Sequence, residues 1–209
     1  MQRKRYNAVD TMQQSLYSDK RSAFWKERFS EASRYQEYLA QSDPDKAGNW
    51  RRMEKKLPPL SDTESKRLKG YGRCLHVLVV SGVWCGDCVR QGPILRQLSD
   101  ACDPEVELRL IDRDVNADLR EEVRLLGALR VPVVVFLSED FFEVGRFGDR
   151  MLSTYRLKAQ TELGPACPVP SLVPPDNELR EERGQWLDVF ERMLLMVRLA
   201  PPLRERHGD

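Results

Sequence analysis

A nearly continuous apolar run, Leu75 to Val80 broken only by His76, is followed almost at once by Trp84-Cys85-Gly86-Asp87-Cys88. This succession constrains the fold more than any other feature of the chain. An apolar run of that length reads as a strand buried on both faces. Ser81 and Gly82 end it, so the cysteines fall at the start of the next element, a helix rising from the end of a central strand. Two cysteines three apart on a first helical turn share a face and can close a disulfide with little backbone movement. Cys85 lies nearer the helix start, where unpaired N–H groups and the macrodipole favour negative charge. That position lowers a thiol pKa and makes Cys85 the expected nucleophile. Cys88 lies deeper, placed to attack a mixed disulfide from behind. The arrangement is that of a dithiol oxidoreductase.

The remaining elements build a sheet around this strand. Val106 to Ile111 reads as a second strand, Asn116 caps a helix with Leu119, Val123 and Leu126 facing inward, and Val131 to Leu137 reads as a third strand. Phe141 to Val144 is a fourth, joined by the Ser138-Glu139-Asp140 turn. Strand–helix–strand–helix–strand–strand order gives an α/β fold, a mixed central sheet with helices on both faces. Residues 1–60 read as helical, with Trp25, Phe29, Ala32 and Leu39 on one stripe and Phe24, Tyr35 and Tyr38 on its neighbour, both expected to dock as core. Ser42-Asp43-Pro44-Asp45 stops a helix, and Ser61 with Glu64 forms a capping box. A last helix, residues 176–200, carries Trp186, Phe190, Met193, Leu194 and Val197 on one face and is expected to end at Pro201-Pro202.

Beyond the cysteines, Gly92-Pro93-Ile94-Leu95, Val131-Pro132 and Gly148 stand at spacings that resemble the thioredoxin superfamily. The resemblance covers roughly residues 61–160. Ile111-Asp112-Arg113-Asp114 and Arg146-Phe147-Gly148 are similar to segments of bacterial thioredoxin-like proteins with a WCGDC site and a helical N-terminal extension. The resemblance implies a thioredoxin-like domain at 61–160 with a helical extension at 1–60 before it; the residues themselves give a Pro-rich connector at 161–175 and the C-terminal helix after it. It also implies that the Val131–Pro132 bond is cis, that the Val131 backbone can pair with a substrate strand, and that Gly148 borders the substrate groove. Trp84 is expected to shield the thiolate, and Gly86 to admit a substrate backbone closely. The family usually buries an aspartate six residues before the first cysteine and pairs it with a lysine on the neighbouring strand. Those positions here are Val79 and Leu110, so the presumed base for Cys88 is missing. Asp87 replaces a proline, and its charge beside Cys85 should disfavour the thiolate by about 1 kcal/mol, tuning the site.

Composition narrows the rest. With 209 residues there is length for one sizeable core and an extension. A formal charge of +1 argues against a dominant nucleic-acid or membrane-surface role. Residues 1–70 carry 16 Lys/Arg against 10 Asp/Glu and the remainder 18 against 23, a split that reads as solvated helical surface. The basic start lacks an apolar run behind it, no stretch is apolar enough to span a membrane, and five irregularly spaced cysteines make no secreted framework, so the reading is cytoplasmic. No cofactor or resident metal is expected. The expected partners are protein disulfide substrates and a thiol electron donor; oligomeric state is left open. Two rivals stand beside this reading. One is a zinc site completing Cys85 and Cys88 with Cys74 and His76, although that spacing matches no common zinc module. The other is a non-catalytic, redox-sensitive binding module. Cys102, Cys167 and His207 read as bystanders.

Overall fold

The computed structural model describes residues 18–163 and 178–208. Its helices and strands run, in chain order, α1 (Ser22–Glu31), β1 (Ser33–Arg34), α2 (Tyr35–Gln41), α3 (Pro44–Lys56), α4 (Asp62–Lys66), β2 (Leu75–Ser81), α5 (Gly86–Ala101) and β3 (Val106–Asp112). They continue with α6 (Ala117–Glu122), β4 (Val133–Ser138), β5 (Glu143–Gly148), α7 (Leu152–Leu163), α8 (Glu178–Leu199) and α9 (Pro201–His207). Most of the expected Pro-rich connector, with Cys167, lies outside the described residues; α7 runs into its first positions.

The five strands form one mixed sheet in the order β1-β3-β2-β4-β5. β2 is central, parallel to β3 and antiparallel to β4, and β5 and β1 close the two edges antiparallel to their neighbours. Burial on both faces explains the apolar run: Val77, Leu78, Val79 and Val80 are almost wholly buried. Alternate residues of β2 address different layers. His76 meets Phe29 of α1 at 4.8 Å, ring centroid to centroid, whereas Phe136, the register partner of Val77, meets Phe190 of α8 at 5.4 Å. Helices therefore cover both faces, as the element order predicted.

The edge strand β1 comes from the segment read as a purely helical extension. Ser33 pairs with Leu110 and Arg34 with Arg109, interrupting the aromatic stripe between α1 and α2. Both stripes still reach the core, with Trp25, Phe29, Ala32, Tyr35, Tyr38 and Leu39 buried and Phe24 partly so. Asp43 stops α2 and also caps α3, accepting from the N–H of Asp45 and Lys46. The Ser61–Glu64 capping box forms as expected.

Two expectations fail locally, and a third holds only in part. α6 ends at Glu122, and Leu126 and Gly127 occupy a tight turn with positive φ between Leu125 and Ala128, which leaves Leu126 98% exposed instead of inward. Phe141, also at positive φ, belongs to the turn, so β5 begins at Glu143. Pro201-Pro202 end α8 but also open α9, where a missing N–H costs nothing in the first turn.

Candidate active site

β2 delivers the chain to Ser81, and Gly82-Val83-Trp84 turn it into α5 with Cys85 at the N-cap and Cys88 in the first turn. Upstream helices hold the turn. Trp50 of α3, fully buried between Tyr35 and Tyr38, donates its indole N–H to the Val83 carbonyl at 3.0 Å. Nearly two turns into α5, Gly92 gives Trp50 its room: a Cβ there would lie 2.0 Å from the ring. Gln91 ties the helix to its other neighbours, donating to the Asp149 carbonyl and accepting from the Trp186 indole of α8.

The two cysteines are chemically unlike. Cys85 is half-buried and Cys88 is 1% exposed, and both are free thiols. The Cys85 pKa falls to about 6, chiefly because the Cys88 thiol donates to its sulfur; burial opposes this, and the N–H groups of Cys88 and Asp87 add to it. The Asp87 charge acts in the opposite direction, as the sequence suggested, and is the least of these named influences. Its carboxylate is paired with Arg150 at 2.5 Å, a partner no local pattern announces. Burial drives the Cys88 thiol far upward, and the neighbouring Cys85 thiolate adds to that rise.

The expected groove residues come together beside Cys85. Its sulfur lies 3.5 Å from the Val131 carbonyl, and the Val131–Pro132 bond is cis. Gly148, register partner of Val133, borders the same loop: a Cβ there would meet the Pro132 carbonyl at 2.8 Å and Leu125 at 3.0 Å. Trp84 stands half exposed over the site, with the Arg113 guanidinium 5.0 Å from its ring. Arg113 also donates to the Leu129 carbonyl and pairs with Asp114. Gly86 has nothing within 4 Å of where a Cβ would stand, so the space in front of it is open. Asp149 receives Arg130, Arg150 and the Tyr155 hydroxyl; burial opposes ionisation, yet Tyr155 and Arg130 hold its carboxyl below the usual range. This ionic chain joins Asp87 to the loop before Pro132 and escaped the sequence reading because its members lie far apart in the chain.

The proposed zinc partners are elsewhere. Cys74 and His76 stand at the start of β2, about 20 Å of strand away from Cys85. His76 is stacked on Phe141 at 4.5 Å. Among the described residues no group of three His, Cys, Asp or Glu is arranged to hold a metal, and no helix is long and apolar enough to cross a membrane.

The shifted pKa has a direct consequence. Ionisation makes Cys85 reactive, so its alkylation rate should rise through a half-point near pH 6 and level off above it, while buried Cys88 stays inert. A half-point above about pH 8, the range of an ordinary thiol, would contradict this assignment.

A family model described as Thioredoxin matches residues 32–162. No curated protein matches. Among solved structures, a protein of unknown function from Pseudomonas aeruginosa is similar with a TM-score of 0.60 at 22% identity, over 82% of this chain and 95% of that one. A structure described as an HIV epitope-scaffold is similar with a TM-score of 0.55 at 21% identity, over 88% of this chain and 98% of the other. At these identities both likenesses bear on the fold alone.

Proposed function

Because the chain belongs to the thioredoxin family over residues 32–162, we propose that it is a thiol–disulfide oxidoreductase that exchanges its Cys85–Cys88 dithiol with protein disulfides. The observation that carries this reading is the contrast within the pair: a partly exposed Cys85 at a helix N-cap, backed by a buried Cys88, an arrangement that lowers the Cys85 pKa to about 6. The Cys85 thiolate attacks one sulfur of a target disulfide, and the other sulfur leaves with the electron pair and takes a proton. The Cys88 sulfur then attacks Cys85, the Cys85–target bond breaks, and the second target sulfur leaves as the Cys85–Cys88 disulfide closes. The target is reduced by two electrons and the pair is oxidised by two. A thiol donor returns the pair to the dithiol.

Substrate binding in this reading falls to the surface around Cys85. An extended target segment lies along the Val131 backbone, which is outside the sheet ladder, with Pro132 and Gly148 forming the floor. Trp84 supplies an apolar wall, and exposed Leu126, beside the Leu125 that touches Gly148, supplies another. Open space at Gly86 admits the target backbone, and Asp87, held by Arg150, sets the field.

A second reading, the redox-sensitive binding module, draws support from one observation: the pair Val79–Leu110 behind the cysteines is apolar and buried where a buried base would stand. One experiment separates the two. Equilibration in glutathione buffers should give a two-electron couple at Cys85–Cys88, and the dithiol form should reduce a disulfide-bonded reporter protein. A couple without reductase activity would leave the binding module; a stoichiometric zinc on elemental analysis, lost with the thiols' protection, would overturn both.

A further inference from the structure

Cys88 presents a problem that the exchange reaction has to solve. Its thiol is buried and held neutral, yet it must become a nucleophile once Cys85 is tied to a target. The sheet carries no carboxylate directly behind it at Val79 or Leu110. One pleat nearer the helix, on the same face, the register pair changes character to Ser81–Asp112. Ser81 is wholly buried, and its hydroxyl has no hydrogen-bond partner of ordinary geometry among the described residues. The same is true of the Tyr38 hydroxyl, which α2 brings into the core from the upstream segment. Two buried, unpartnered hydroxyls in one place call for an explanation, because burying a polar group without a partner is unfavourable.

They share a neighbour. The Ser81 hydroxyl is close enough to both the Tyr38 phenol and the Cys88 thiol to favour the ionised form of each, and the Gly82 N–H does the same for Cys88. Among titratable groups, Cys85 acts on Cys88 from its own segment, both cysteines act on Tyr38 of α2, and the Asp112 charge from β3 reaches Tyr38.

We propose that the Ser81 hydroxyl is a catalytic group of the resolving step, donating its proton as a hydrogen bond to the Cys88 sulfur as negative charge develops there, and that Tyr38 is the positioning residue that seats it. The proposal rests on the reading of Cys85–Cys88 as an exchange pair. No base is consumed: the proton of Cys88 ends on the departing target sulfur, the Cys85–target bond breaks and the Cys85–Cys88 bond forms. Both hydroxyls keep their own protons. Before exchange the Ser81 hydroxyl has no full acceptor; the thiolate that forms during resolution is the acceptor it lacks.

Reduced protein mixed with 5,5′-dithiobis(2-nitrobenzoate) and quenched in acid separates the two steps. Mass spectrometry of the peptide carrying both cysteines reads the Cys85 adduct as it forms and then its conversion to the internal disulfide. Ser81→Ala should leave adduct formation within about twofold of the native rate and slow its conversion by about ten- to a hundredfold, the loss expected for a hydrogen bond to a charged group. The pH profile of conversion should move upward, since the thiolate loses its donor. Tyr38→Phe, which keeps the ring and therefore the packing on Trp50, should slow conversion several-fold with a pH shift in the same direction. Conversion unchanged in rate and pH profile in both variants would overturn the proposal while leaving the exchange reading intact. Failure of the native chain to convert the adduct at all would overturn both.

Discussion

Cys85→Ser is expected to reduce protein-disulfide reduction on the order of a thousandfold or more, because the attacking sulfur is gone and the remaining thiol is buried and held neutral. Cys88→Ser should behave differently. Attack through Cys85 survives, resolution does not, and disulfide-linked adducts should accumulate on non-reducing gels of a cell extract. The choice of replacement matters, since the largest influence lowering the Cys85 pKa is donation from the Cys88 thiol. A serine hydroxyl can still donate, whereas Cys88→Ala cannot, so the alanine variant should show a Cys85 alkylation half-point displaced upward from about pH 6. Adducts captured by Cys85→Ser and absent from Cys88→Ser would reverse the two roles.

Gly92→Ala should be the most damaging single methyl group that can be added near the site. Alanine ordinarily favours a helix interior over glycine by about 1 kcal/mol. Here the new Cβ would lie 2.0 Å from Cζ3 of Trp50 and 2.7 Å from Cη2. The ring cannot step aside: it is fully buried, flanked by Tyr35 and Tyr38 and bonded through its N–H to Val83. Overpacking of this kind costs about 1–3 kcal/mol and sometimes more, so the propensity gain is overwhelmed. A net loss of about 2 kcal/mol corresponds to roughly 4–8 °C in a chain of this size. Calorimetry reads it directly, with Gly86→Ala, which meets nothing, as the control. An unchanged or higher melting temperature for Gly92→Ala would mean that α3 and α5 are spaced more widely than described.

What the sequence disclosed follows the range of the forces involved. The central strand, the cysteine helix, the Pro132 loop and Gly148 were legible because each is written in local residues: an apolar run, a thiol spacing, a proline, a glycine. β1 was not, since two polar residues carry no periodicity and only pairing with Leu110 and Arg109 makes them a strand. Leu126 continued a helical pattern that had already stopped at Glu122, and its backbone follows the turn instead. The Asp87–Arg150 and Asp149–Arg130 pairs join residues far apart in the chain. Tyr38 looked like one more core aromatic, and its burial agrees with that. Only the placement of α2 brings its hydroxyl near Ser81, which no local pattern announces.

The bond from Trp50 to Val83 changes where this molecule can be said to begin. A minimal unit drawn from the cysteines outward would start near the capping box at Ser61, discarding the indole that fixes the carbonyl two residues before Cys85. Such a fragment would keep every reactive atom and lose the brace on the turn that presents them, along with the ring that α5 was carved to receive at Gly92. The upstream helices are therefore part of the frame that holds the turn before Cys85. Transplanting the thiol motif alone into another framework would carry the chemistry without its alignment.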